Sequence, residues 1–336
     1  MRGRSGRAAG ALAGLLVSAL AMRAVIGGHG QFGQAARLLS HPLVGWIALA
    51  LVCELLAYVA YATGQRRLLH AVGRPLSIRW LASLSVAAQS LSNFLPAGYV
   101  LANVLNFREL RRRELRSGET AWVLLMSSLL YVGALAVLAI AGSEIAGSRG
   151  GSAAADLRLA ACAALGLALL CGIAALVLSR RGLLGRLVGR RGRDLGARLS
   201  GISLSRGRAA AAGGFFLAGW VADAACLAAA FYAVGGTPPW DVFLMAYCAA
   251  QLVAFLPITP GGLGLVEGSL ALTLAAGGAA GRHVLAAVLL YRLISYWGTL
   301  PAGALGYLAV RRCGARLAEP LPEPVPLTLA GVAPAP

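Results

Sequence analysis

Four ionisable side chains, Glu54, Asp223, Glu267 and Arg292, stand inside long apolar stretches of the chain. A charge in hydrocarbon is costly, so such residues turn toward protein or water and mark sites. Two of them follow a strong helix breaker, FLPITPGGLG at Phe255 to Gly264. There Pro257 and Pro260 end an incoming arm, while Gly261, Gly262 and Gly264 permit positive φ angles and close backbone approach. The outgoing helix then starts inside the apolar layer. Its unpaired N–H groups and positive dipole end suit an anion, and the anion a membrane offers is a lipid phosphate. Glu267 lies five residues past Gly262, and Arg292 lies in the next apolar run beside Tyr291. A Glu267–Arg292 ion pair is expected, serving either a binding site or a lock between turn and helix. A second breaker, FLPAG at Phe94 to Gly98, offers another helix start after Pro96 and Gly98. The candidate binding set is therefore Pro96, Gly98, Pro260, Gly261, Gly262, Gly264, Glu267, Tyr291 and Arg292. Glu54 and Asp223 sit in the second apolar run of each half, at unmatched depths.

Other chemistries find no support in the residues. His29, His41, His70 and His283 lack ligand spacing, and the six cysteines have no paired spacing for a metal or a disulfide framework. No Ser/His/Asp order, Walker pattern or cofactor motif stands out, so no catalytic residues and no cofactor are expected. The formal charge of +18 would suggest nucleic acid in a soluble chain. Here 59% of residues are hydrophobic and 12% charged, about half the usual charged share, and the arginines cluster in short segments between apolar runs. That pattern points to a membrane and to no nucleic acid.

Six runs have the length of a membrane span: Ala8 to Ile26, Leu43 to Ala62, Ala121 to Ala141, Leu157 to Ser179, Ala209 to Val234 and Val284 to Val310. All 30 basic residues are Arg. Cytoplasmic loops are enriched in basic residues, and one threading gathers 24 of the 30 on a single side. That side holds the N-terminus, the segments 63–79 and 108–116, the loop 180–208 and the tail. The opposite loops, 27–42, 142–156 and 235–240, contain only Arg37 and Arg149. The threading places both termini in the cytoplasm of a plasma-membrane protein.

It also requires residues 80–107 and 241–282 each to leave and return on one side, as hairpins. Trp80 to Leu95 and Ala97 to Phe107 are short arms; the second reaches only about 17 Å, below a core of roughly 30 Å. A re-entrant hairpin suits the first, and the longer second leaves re-entrant and crossing forms open. The halves resemble each other in order. AAQSLSNFLP at Ala87 to Pro96 parallels AAQLVAFLP at Ala249 to Pro257, and LLY at Leu129 to Tyr131 parallels LLY at Leu289 to Tyr291. The fold class that follows is an all-α polytopic bundle with about six full spans, two broken or re-entrant hairpins and an inverted-topology repeat. Residues 1–310 form one transmembrane domain, with repeats at about 8–141 and about 157–310, and 311–336 a short Pro-rich cytoplasmic tail. Broken segments at matching places in inverted repeats belong to transporters and point to the substrate site.

The stretch FLPITPGGLGLVEGSLALTLAAGG followed by LLYRLISYWGTLPAGALGYL resembles the transmembrane region of the lysylphosphatidylglycerol synthase/flippase family. The match lies in the Pro-Gly-Gly turn, the Glu a few residues on and the Tyr-Arg helix. In the first half AGYVLANVLNF replaces the family's Gly-Gly turn and charged pair. The resemblance implies a lipid-translocating role and, with only a short tail after the last helix, no lysyl-transferase activity. The expected partner is an anionic lipid or lipid-linked intermediate; the alternative is a non-transporting partner of a glycosyltransferase or lipid-synthesis enzyme.

Overall fold

The computed structural model describes residues 29–95, 98–180, 205–255 and 260–315. Among them every regular element is helical: α1 (His29–Ser40), α2 (Val44–Ala71), α3 (Ile78–Phe94), α4 (Gly98–Arg112), α5 (Ser117–Arg180), α6 (Arg206–Ala233), α7 (Trp240–Ala254), α8 (Leu265–Ala276), α9 (Gly281–Arg292) and α10 (Thr299–Ala315). A 3-10 turn, Pro260–Gly262, lies between α7 and α8, and a π-turn, Leu293–Trp297, joins α9 to α10. Among the described residues four stretches are long and apolar enough to cross a bilayer: Val44–Ala71, Ser117–Gly147, Arg206–Ala233 and Gly281–Arg312. The protein is an all-α polytopic membrane protein. Its exposed Leu49, Val52, Leu55, Leu56 and Val59 on α2 are the outward face such a protein turns to lipid. The expected run Ala8 to Ile26 and most of the loop 180–208 lie outside the described residues.

Local chemistry sets the element ends. Ser77 and Ser205 cap α3 and α6, their hydroxyls accepting from Trp80 N and Arg208 N at 3.4 Å. Both breaker motifs interrupt helices where the sequence places them. The first pair, α3 and α4, has 17 and 15 residues, and the second, α7 and α8, has 15 and 12. At 1.5 Å per residue the shortest arm is about 18 Å, too short for a crossing.

Two expected loops are helical instead. Residues 29–40 form α1, which packs against α9, and residues 142–156 continue α5 as one helical element to Arg180. Neither stretch contains proline before Pro42, and isolated Gly or Ser costs a helix only about 1 kcal/mol or less, which Ala-rich flanks absorb. Gly147, at φ 48°, carries the break in α5.

The packing is reciprocal between the halves. Among the described residues the broadest contact is that of α2 lying along α6; α10 lies along α3, and α5 along α7. Each half's first hairpin arm is thus covered by the last helix of the other half. Both crossings are made at glycines, as close helix approach in membranes requires. A Cβ at Gly306 would come 2.6 Å from the Ser83 carbonyl oxygen, and one at Gly142 would come 2.9 Å from the Met245 nitrogen.

Candidate functional site

The breaker in the second half folds as a left-handed turn. Gly261, Gly262 and Gly264 have φ of 57°, 69° and 83°, a region costly for residues with a Cβ. Space is closed as well. A Cβ at Gly261 would meet the Tyr296 ring and come 3.0 Å from the Asn93 carbonyl oxygen, and one at Gly262 would come 2.7 Å from Val266. Asn93 precedes the FLP of the first half, so the two breakers meet. Tyr296 ties them, donating its hydroxyl to the Asn93 carbonyl at 3.0 Å. Asn93 in turn accepts from Gln89 at 3.0 Å and donates to Thr299 at 3.2 Å.

Charge is concentrated beside this turn. Arg292 Nε donates to Glu267 Oε1 at 2.6 Å, and its Nη2 donates to the Gly261 carbonyl at 3.0 Å. Both side chains are nearly enclosed, with relative exposures of 11% and 12%. The other Glu267 oxygen, Oε2, accepts from Gly264 N at 2.7 Å. The α8 N-terminus is therefore already occupied by an anion, the protein's own carboxylate, which Arg292 and a backbone N–H hold from two sides. The guanidinium also lies over the Tyr296 ring, 4.4 Å from its centre.

One residue earlier on α9, Tyr291 turns to a different group. Its hydroxyl donates to Asp223 Oδ2 at 3.0 Å, and Asp223 also accepts from Tyr247 at 2.6 Å and Gln251 at 2.8 Å. Gln251 spans the gap, lying 3.1 Å from the Tyr291 oxygen.

Residues 11–303 match the family of the lysylphosphatidylglycerol synthase TM region. The chain belongs to that family. A curated relative, a UPF0104 membrane protein of Methanothermobacter thermautotrophicus, is 40% identical over 85 residues. That alignment covers 25% of this chain and 24% of the relative, so the chain spans about a quarter of the curated relative it matches.

Within this member of the lysylphosphatidylglycerol synthase TM family, the expected site residues divide into three groups. Gly261, Gly264, Glu267 and Arg292 are joined by direct hydrogen bonds, with Gly262 inside the same turn. Tyr291 belongs to the neighbouring Asp223 network. Gly98 stands apart: its N–H donates to the Leu95 carbonyl at 2.8 Å, and a Cβ there would come 2.6 Å from the Ser92 carbonyl oxygen. Its helix start faces the end of α3 rather than a free space. Pro96 lies outside the described residues, and Pro260 opens the 3-10 turn. Sequence reasoning passed over Gln251, Tyr247, Asn93 and Tyr296. A signal was there for the first, because Gln89 and Gln251 occupy the same place in the two repeated FLP segments.

Proposed function

We propose that this protein binds an anionic lipid or lipid-linked intermediate and moves it between leaflets, with Arg292 and the Gly264 N–H holding the phosphate. The observation that carries this reading is the convergence of those two donors on the Glu267 carboxylate where the broken hairpins meet. A phosphate oxygen has the charge and acceptor geometry of that carboxylate. On this reading Glu267 occupies the site between substrates, and an arriving headgroup displaces it from Arg292. Release then restores the pair, so neither charge is left alone in the membrane interior. The inverted arrangement of the two hairpins, with both termini in the cytoplasm, belongs to the same reading, as does a role without group-transfer chemistry.

The test is reconstitution of the purified chain into vesicles carrying fluorescent or isotopically labelled lipids of several headgroup classes. Transbilayer movement above that of empty vesicles, selective for anionic headgroups, is the expected result. Absence of movement across a broad panel overturns the reading.

A further inference from the structure

A cleft of about 470 Å³ opens between α4 and α5, a volume in the range of ligand pockets. Val100, Val104 and Arg108, four residues apart, form one ridge of α4 along it, and Leu124 and Leu125 of α5 form the facing wall. The other side of α4 packs on α3 and buries Ala102, Glu109 and Leu110. The ridge is therefore turned outward: Val100 is 60% exposed and Val104 45%. In a membrane protein the solvent of such a face is lipid.

Polarity changes along the cleft in the order in which it changes along a phospholipid. Its inner end, at Tyr99 and Val100, follows the first helix breaker and is apolar. Two turns on, about 12 Å at 1.5 Å per residue, Arg108 stands where the arginine-rich segment 108–116 begins. Asn103 lies between them in the lining. One of its amide hydrogens goes to the Tyr99 carbonyl at 2.9 Å, which leaves the amide a second N–H to offer an ester carbonyl. The arginines that follow are drawn elsewhere. Arg112 pairs with Glu109 at 2.7 Å, and Arg111 donates to the Leu115 carbonyl at 2.6 Å. Among the described residues Arg108 is the cation that lines the cleft.

We propose that this cleft binds an anionic phospholipid of the leaflet at the arginine-rich end, with the phosphate on Arg108 and one acyl chain between α4 and α5. The binding site stands apart from the transport reading above; its further role, as the position from which a lipid is loaded, rests on that reading. The inner end of the cleft adjoins Gly98, and the first breaker meets the glycine turn through Asn93 and Tyr296. A headgroup leaving Arg108 thus travels along α4 toward the place where Arg292 stands.

The test uses the purified full chain in phosphatidylcholine vesicles with a trace of photoreactive lipid, a diazirine midway along one acyl chain and either a phosphoglycerol or a phosphocholine headgroup. After irradiation, mass spectrometry of the peptides locates the label. Labelling of the α4 and α5 segments that line the cleft should be about fivefold stronger with phosphatidylglycerol, the effect of one arginine on an anionic lipid. Arg108→Gln should lower it to the phosphatidylcholine level. Val104→Trp, which fills the cleft from an exposed position, should remove it for both lipids, while Leu55→Trp on the lipid face of α2 should leave it unchanged. The wild-type comparison of headgroups needs no variant, so a substitution that unfolds the chain leaves the test standing. Equal labelling by the two lipids, or cleft labelling no stronger than that of the Leu55 face, means ordinary bilayer contact and overturns the site. No labelling by either lipid means that the chain itself, such as its apolar run Ala8 to Ile26, fills the cleft, and also overturns it. Selective labelling without transbilayer movement leaves the site standing and overturns the transport reading with the loading role. Movement that Val104→Trp does not slow overturns the loading role alone.

Discussion

Arg292 joins three kinds of partner, a carboxylate, a backbone carbonyl and an aromatic face, and its replacement separates two roles. Arg292→Ala should weaken short-chain phosphatidylglycerol binding about tenfold to a hundredfold, since a charge-assisted contact contributes about 1.5–3 kcal/mol. It should also lower thermal stability, because Glu267 is left nearly enclosed without its cation. Isothermal titration and a melting curve check both. If stability falls and lipid affinity does not, Arg292 is a lock. Glu267→Gln makes the sharper contrast: it removes the competing anion, so affinity for the same lipid should rise several-fold while stability drops. Much of this pair was legible, because Glu267 and Arg292 are charges in apolar runs and few partners exist for them. The Asp223 network was not. Tyrosine and glutamine interrupt an apolar run without a charge, and only the fold brings residues 223, 247, 251 and 291 together.

At the scale of elements, the glycine turn is held by sterics as much as by dihedral freedom. Gly262→Val should reduce folded yield and melting temperature even in protein never exposed to lipid, since a β-branched residue at φ 69° adds strain to a contact that Val266 already fills. Gly306→Leu tests a different contact. It should push α10 off α3 and cost about 1–3 kcal/mol of overpacking or more, with Glu267 and Arg292 still paired. Thermal melts with and without lipid distinguish the two substitutions. Both broken hairpins could be anticipated, since proline and glycine act locally and their effect does not depend on neighbours. The helical state of 142–156 on either side of the break at Gly147 could not, because Gly, Ser and scattered charges resemble a loop until flanking helices extend into them. The π-turn at Leu293–Trp297 was equally hidden. LISYW is compatible with ordinary helix, and the extra residue in the turn is set by tertiary packing around Tyr296, which is 1% exposed.

For the whole molecule, the arginine distribution makes a prediction independent of any ligand. Cysteines introduced in place of Arg111 and Arg190 should react with a membrane-impermeant reagent only from the cytoplasmic side of inverted vesicles, and labelling on opposite faces would overturn the proposed threading. The reciprocal packing of the halves has a further consequence, for biosynthesis. α3 is inserted early, yet the helix that covers it, α10, leaves the ribosome more than 200 residues later. The N-terminal half must therefore wait in the bilayer with a polar, broken segment uncovered, and Asn93 has no Thr299 to meet until α10 is made. A chain stopped before Thr299 should be a substrate for membrane quality control, and a cysteine placed at Ser90 should be reactive in that arrested chain and protected in the finished one. In that experiment α10 would prove to be the checkpoint that releases the N-terminal half from such control.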